Sequence, residues 1–97
     1  MPDSKTHLNS ATVVRKKAGN HGAEMENGYV LLNVIKGEYV NFNEVGASIW
    51  RSIGEENSIG NICDTICEEF EISKSKCEVE VIKFIRILIR ENLISIK

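Results

Sequence analysis

The chain has 97 residues, of which 27% are charged and 42% apolar, and its formal net charge is −2. Those figures suit one small globular domain that stays in water. They exclude a disordered chain, a membrane-spanning one, and one large enough to enclose a deep catalytic cleft. The balance supplies no overall attraction to nucleic acid or anionic lipid, so such a partner would need a local basic patch.

Residues 1–10 are polar, with Ser4, His7, Asn9 and Ser10 and little to bury. They are expected as a flexible arm ahead of a single domain over 11–97. Residues 11–16, with Thr12, Val13 and Val14, read as a short β-branched strand. Residues 20–27 mix glycine with charge and read as a long loop. Residues 29–34 make a stronger strand, then Ile35, Lys36 and Gly37 form a hairpin loop in which glycine suits the left-handed position. Tyr39 to Phe42 alternate as the third strand.

That strand runs without a linker into a helix. Asn43 is placed to accept backbone N–H bonds from the first turn, and Val45, Ile49, Trp50 and Ile53 follow at helical spacing. Gly54, Glu55, Glu56 and Asn57 break the pattern, and Ser58 caps a second helix whose apolar stripe is Ile59, Ile62, Cys63, Ile66, Cys67 and Phe70. Its other face, with Asn61, Asp64, Glu68 and Glu69, is acidic and solvated. Ser75 and Glu78 match a capping box, predicting a third helix from there to about Glu91. This helix has a broad apolar arc, with Val81, Ile82, Phe84, Ile85, Leu88 and Ile89. Lys83, Arg86 and Arg90 form a narrow basic stripe, with Val79 and Ile87 in or beside it. Apolar side chains set among exposed charges invite a covering partner.

The odd set of cysteines, with no apolar signal segment at the amino end, points to the cytoplasm. Cys63 and Cys67 share a helix face, but a structural zinc site needs two further ligands and only Cys77, His7 and His21 remain. Both cysteines lie in the core stripe, so burial explains them better than a metal does. Cys77, at a helix start, has a position that can lower a thiol pKa, but no base is implied beside it and a free thiol is expected. No phosphate loop, nucleophile elbow or zinc-protease helix occurs. His7 and His21 read as solvated loop residues, Trp50 as core, and Glu55 and Glu56 as solvated turn carboxylates. Enzyme activity is therefore not expected.

Two binding classes remain. A winged helix reading DNA needs a base-reading polar helix face with phosphate-contacting flanks. Here the second helix is acidic, and the third looks like a core helix with one charged seam. The alternative is a peptide binder, which a resemblance supports. The run Gly37, Tyr39, Phe42, Asn43, Gly46, Ala47, Ile49 and Trp50 resembles the PqqD-like peptide chaperones, also called recognition elements of ribosomally made, modified peptides. The likeness extends over residues 29–94, through Val30 to Asn33, the helix with Ile59 and Ile62, and a final helix ending in Asn92, Leu93 and Ile94.

The resemblance implies an α+β, winged-helix-like fold, a three-stranded antiparallel sheet followed by three helices in the order βββααα, making 11–97 a single PqqD-like peptide-binding domain. It implies no cofactor, and the cysteine and histidine positions give no expectation of a metal. It also implies binding of a precursor's leader segment by strand addition, for delivery to a separate processing enzyme. That partner would be a lasso-peptide leader peptidase or a radical enzyme of a quinone-cofactor or thioether-peptide pathway. The leader would lie between Tyr39, Val40 and Asn41 on one wall and Val79, Lys83, Arg86, Ile87 and Arg90 on the other. A dimer through the strand edge is left open.

Overall fold

The computed structural model describes residues 7–97. Nine elements follow one another: β1 (Val13–Lys16), β2 (His21–Met25), β3 (Gly28–Asn33), β4 (Glu38–Phe42), α1 (Glu44–Ile53), β5 (Glu56–Ser58), α2 (Ile59–Phe70), α3 (Lys74–Arg90) and β6 (Ile94–Ile96). They form two antiparallel three-stranded sheets, ordered β2-β3-β4 and β5-β1-β6, packed with three helices. This is the expected α+β architecture, with a second sheet added.

The second sheet comes from strands too short to show periodicity. β1 lies in the middle of it, pairing Val14 with Asn57 of β5 and with Ile96 of β6. The break expected at 54–57 is thus partly a strand, and β1 belongs to this sheet and not to the hairpin. Residues 20–27 are also corrected, because His21–Met25 is a strand paired along its length with β3. Its signal was hidden by Gly22 and Ala23, which carry no β-branched side chain. Gly22 is required there, since a Cβ would come within 2.3 Å of the Tyr29 ring. The β3–β4 hairpin closes as expected, with Gly37 at φ 67° and its N–H donating to the Asn33 carbonyl at 2.7 Å.

Asn43 caps α1 through its side chain, which accepts the Gly46 N–H at 2.9 Å, and Ser58 caps α2. The start of α3 differs from the sequence reading. Glu71 adopts a left-handed φ of 54°, which closes α2 and turns the chain quickly. Ser73 is then already extended, so it caps α3 in place of Ser75, accepting the Lys76 N–H. The core lies where the faces of the three helices meet, with Ile49, Ile53, Ile62, Ile66, Val81, Ile85 and Leu88 buried together with Leu31 and Phe42 from the hairpin. Each such side chain contributes roughly 1.5–3 kcal/mol relative to exposure. Trp50 is buried as expected, and the Lys16 ammonium sits 4.3 Å from the centre of its ring.

Of the arm expected over residues 1–10, residues 1–6 lie outside the described residues. Leu8 packs against the core, and the Ser10 carbonyl accepts the Gly60 N–H at 2.9 Å. Among the described residues no helix is long and apolar enough to cross a membrane.

Candidate functional site

β4 is an edge strand. Among the described residues it pairs only with β3, so half of its backbone hydrogen-bonding groups face away from the sheet. Strand alternation sorts its side chains. Val40 and Phe42 turn inward, with Phe42 buried and Val40 packed against the core. Tyr39 and Asn41 project from the outer face and are exposed, Tyr39 by 71%.

Two contacts tie this strand and its turn to α3. At one end the Phe42 and Phe84 rings meet edge-on with centroids 5.2 Å apart. Gly46 permits this approach, because a Cβ there would stand 3.0 Å from the Phe84 ring. At the other end the buried Asn33 side chain donates to the Glu91 carbonyl at 2.9 Å, and the Lys36 ammonium pairs with the Glu91 carboxylate at 3.0 Å. β4 and its turn are thereby tied to the helix at both ends.

Helix geometry places the residues of α3 relative to Phe84. At about 100° per residue, Ile87 lies about 60° from Phe84 around the helix, and Lys83 about 100°. Both are exposed. Arg90, Val79 and Arg86 follow on the same side at about 120°, 140° and 160° from Phe84. Val79, Lys83 and Arg86 line an open depression of about 460 Å³ with Glu78 and Ile82. Tyr39, Val40 and Asn41 mark out a strip along β4, and the five α3 residues lie on one side of that helix, Lys83, Val79 and Arg86 around one depression.

A smaller cavity of about 240 Å³ lies past the α1 end of β4, lined by Val45, Ile49, Ile66, Ile72 and Phe84, with Asn43 and Glu80 as polar members. Sequence reasoning assigned Val45, Ile49 and Phe84 to the core and did not single out Ile72.

The cysteines offer no nucleophile. Cys63 and Cys77 are buried, Cys67 is half-buried, and the Cys77 thiol donates to the Cys63 carbonyl at 3.3 Å. Burial, with the neighbouring thiols, pushes the Cys77 pKa up to about 12, opposite to the lowering that a helix start can bring. His21 is exposed on β2, held in a strand and not in a loop. Glu56 forms ion pairs with Arg15 at 3.0 Å and Lys97 at 2.9 Å. Among the described residues no group of three His, Cys, Asp or Glu side chains is arranged to hold a metal ion. What the two elements offer is backbone hydrogen bonding on β4 and an apolar and cationic flank on α3.

Comparison with known proteins bears on that arrangement. The pattern of a family described as coenzyme PQQ synthesis protein D (PqqD) matches residues 28–94. No curated protein matches the chain. Two solved structures are similar. One is TbiB1 in complex with the TbiA(beta) leader peptide, 25% identical with a TM-score of 0.74, covering 84% of this chain and 94% of that one. The other is the PqqD truncation of Methylobacterium extorquens PqqCD, described as a functional and stand-alone recognition element for ribosomally synthesized and post-translationally modified peptides. It is 14% identical with a TM-score of 0.79, covering 98% of this chain and 99% of that one, and supports the fold alone.

Proposed function

The chain belongs to the PqqD family, and on that footing we propose that it is a non-catalytic recognition element which captures the leader segment of a ribosomally made precursor peptide and delivers it to a separate processing enzyme. The observation that carries this reading is the unpaired edge of β4, a strand tied to α3, in a chain 25% identical to a protein whose structure holds a leader peptide. An extended leader adds to β4 as a fourth strand of the β2-β3-β4 sheet. It runs antiparallel, the pairing used throughout that sheet and the stronger one per residue. Backbone bonds supply affinity without sequence preference. Selectivity then falls to side chains of β4 and α3, Tyr39 and Asn41 with Val79, Lys83, Arg86, Ile87 and Arg90.

The processing enzyme is proposed to be a leader peptidase of the lasso-peptide type. The chain's likeness over 84% of its length to TbiB1, solved with a leader peptide, supports the leader as the element that is delivered. A DNA-reading role is weaker: the net charge is −2, and Arg86 shares its flank of α3 with Glu78, Val79 and Ile82.

The test is calorimetric titration of the purified chain with the leader of any short precursor peptide encoded near it. The expected affinity is micromolar or tighter, roughly 8 kcal/mol or more, with no cleaved or modified product released by the chain alone. Absence of binding, or turnover without a second enzyme, rejects the assignment.

A further inference from the structure

The turn joining β3 to β4 carries side chains that the fold does not use. Turns in water are ordinarily polar, yet Val34 and Ile35 at this tip are 51% and 75% exposed. Tyr39, two residues past Gly37, is exposed as well. The turn is also braced. Asn33, 1% exposed, receives the Lys36 N–H on its side-chain oxygen at 3.3 Å and grips the end of α3 through the Glu91 carbonyl, while Lys36 pairs with the Glu91 carboxylate. An apolar tip on a fixed turn offers contact area with little conformational freedom left to lose, which is the character of an interface anchor.

Its position says what it would meet, if the leader-binding reading holds. β4 starts at this turn with Glu38 and ends at α1 with Phe42. A leader antiparallel to β4 runs the other way, so its C-terminal end leaves the strip at the turn. The bond or side chains to be processed follow that end of the leader. At the opposite end of the strip the chain enters α1 through Asn43 and Glu44, both exposed and polar. We infer that the Val34–Ile35 tip is the docking point for the processing enzyme, which receives it in an apolar pocket continuous with the emerging peptide. A single exposed apolar residue such as Ile96 is ordinary surface. The tip differs in having two adjacent apolar residues, a brace beneath them and continuity with the leader strip.

The experiment measures processing of the full precursor by any processing enzyme encoded near the chain, with the parent, the Val34→Ser, Ile35→Ser double variant and the Ile96→Ser control. Leader affinity is titrated in parallel for each. The double variant keeps leader affinity within about twofold of the parent while its second-order processing constant falls at least about tenfold, the loss expected for an interface anchor; Ile96→Ser leaves both values unchanged. Parental processing by the double variant overturns the inference and leaves the leader reading intact. An equal loss with Ile96→Ser overturns it too, as does a loss of leader affinity that accounts for the whole processing defect. A parent chain that binds no leader overturns both.

Discussion

Replacing Asn33 by alanine removes the brace under the β3–β4 turn, and the cost can be worked from its two hydrogen bonds. The side-chain amide donates to the Glu91 carbonyl at 2.9 Å and accepts the Lys36 N–H at 3.3 Å, in a site 1% exposed. A hydrogen bond nets about 1 kcal/mol, and a buried group left without its partner costs about 1–3 kcal/mol. The longer bond to Lys36 is the weaker, and Lys36 lies in an exposed turn where water replaces the lost acceptor. The Glu91 carbonyl therefore dominates, and Asn33→Ala is expected to cost about 2 kcal/mol. For a domain of this size that lowers the melting temperature by roughly 8–16 °C. Urea unfolding followed by circular dichroism measures it. Asn33→Asp discriminates hydrogen bonding from packing, because an ionised carboxylate has nearly the same shape but cannot donate to a carbonyl. Its stability should therefore fall at neutral pH and recover in part as the pH is lowered and the side chain regains a proton. A loss below about 0.5 kcal/mol in Asn33→Ala, or an Asn33→Asp variant as stable as the parent at neutral pH, refutes the reasoning.

Three further outcomes are expected. Asn41→Pro deletes a backbone N–H from the β4 edge and should weaken leader binding at least about tenfold while the circular dichroism spectrum is retained, since edge strands tolerate proline; a folded variant with parental affinity contradicts strand addition here. Lys83→Glu should slow leader association several-fold at low salt and more than Arg90→Glu does, because Lys83 lines the depression with Val79 and Arg86 while Arg90 does not, and exposed pairs are worth about 0.2–1 kcal/mol; stopped-flow anisotropy at two salt concentrations decides, and equal rates for all three proteins contradict it. The hydrogen bonds from Lys97 and Arg15 hold the Glu56 carboxyl below the usual carboxylate range. The folded state therefore binds fewer protons there than the unfolded state, and the stabilisation is present at neutral pH and lost as the pH falls through that depressed pKa. Acid titration of stability should show this loss in the parent and a flatter curve in Glu56→Gln; superimposable curves contradict it.

The run from Tyr39 to Trp50 was legible because strand, cap and helix follow one another without a gap, so that Asn43 marks both an end and a beginning. The helices were legible from apolar spacing, and Ser58 from its place before Ile59. The start of α3 was not, because the positive φ of Glu71 is a tertiary choice that no residue type announces, and it moved the cap from Ser75 to Ser73. β2 was hidden because Gly22 gives up its side chain to make room for the Tyr29 ring. β5 and β6 have three residues each, too few for a period, and exist because β1 lies between them. For the site, the edge strand and the cationic helix were readable as elements. Their relative rotation was not, since it depends on Phe84 meeting Phe42 and Gly46, a contact between residues far apart in sequence.

Amide hydrogen exchange of the chain with and without its leader tests the central claim most directly. Strand addition predicts that bound leader slows exchange at outward-facing amides of residues 38–42 and leaves residues 21–25, on the opposite edge of the same sheet, unchanged. Protection of residues 21–25 in place of 38–42, or leader binding that protects neither edge, would contradict the account.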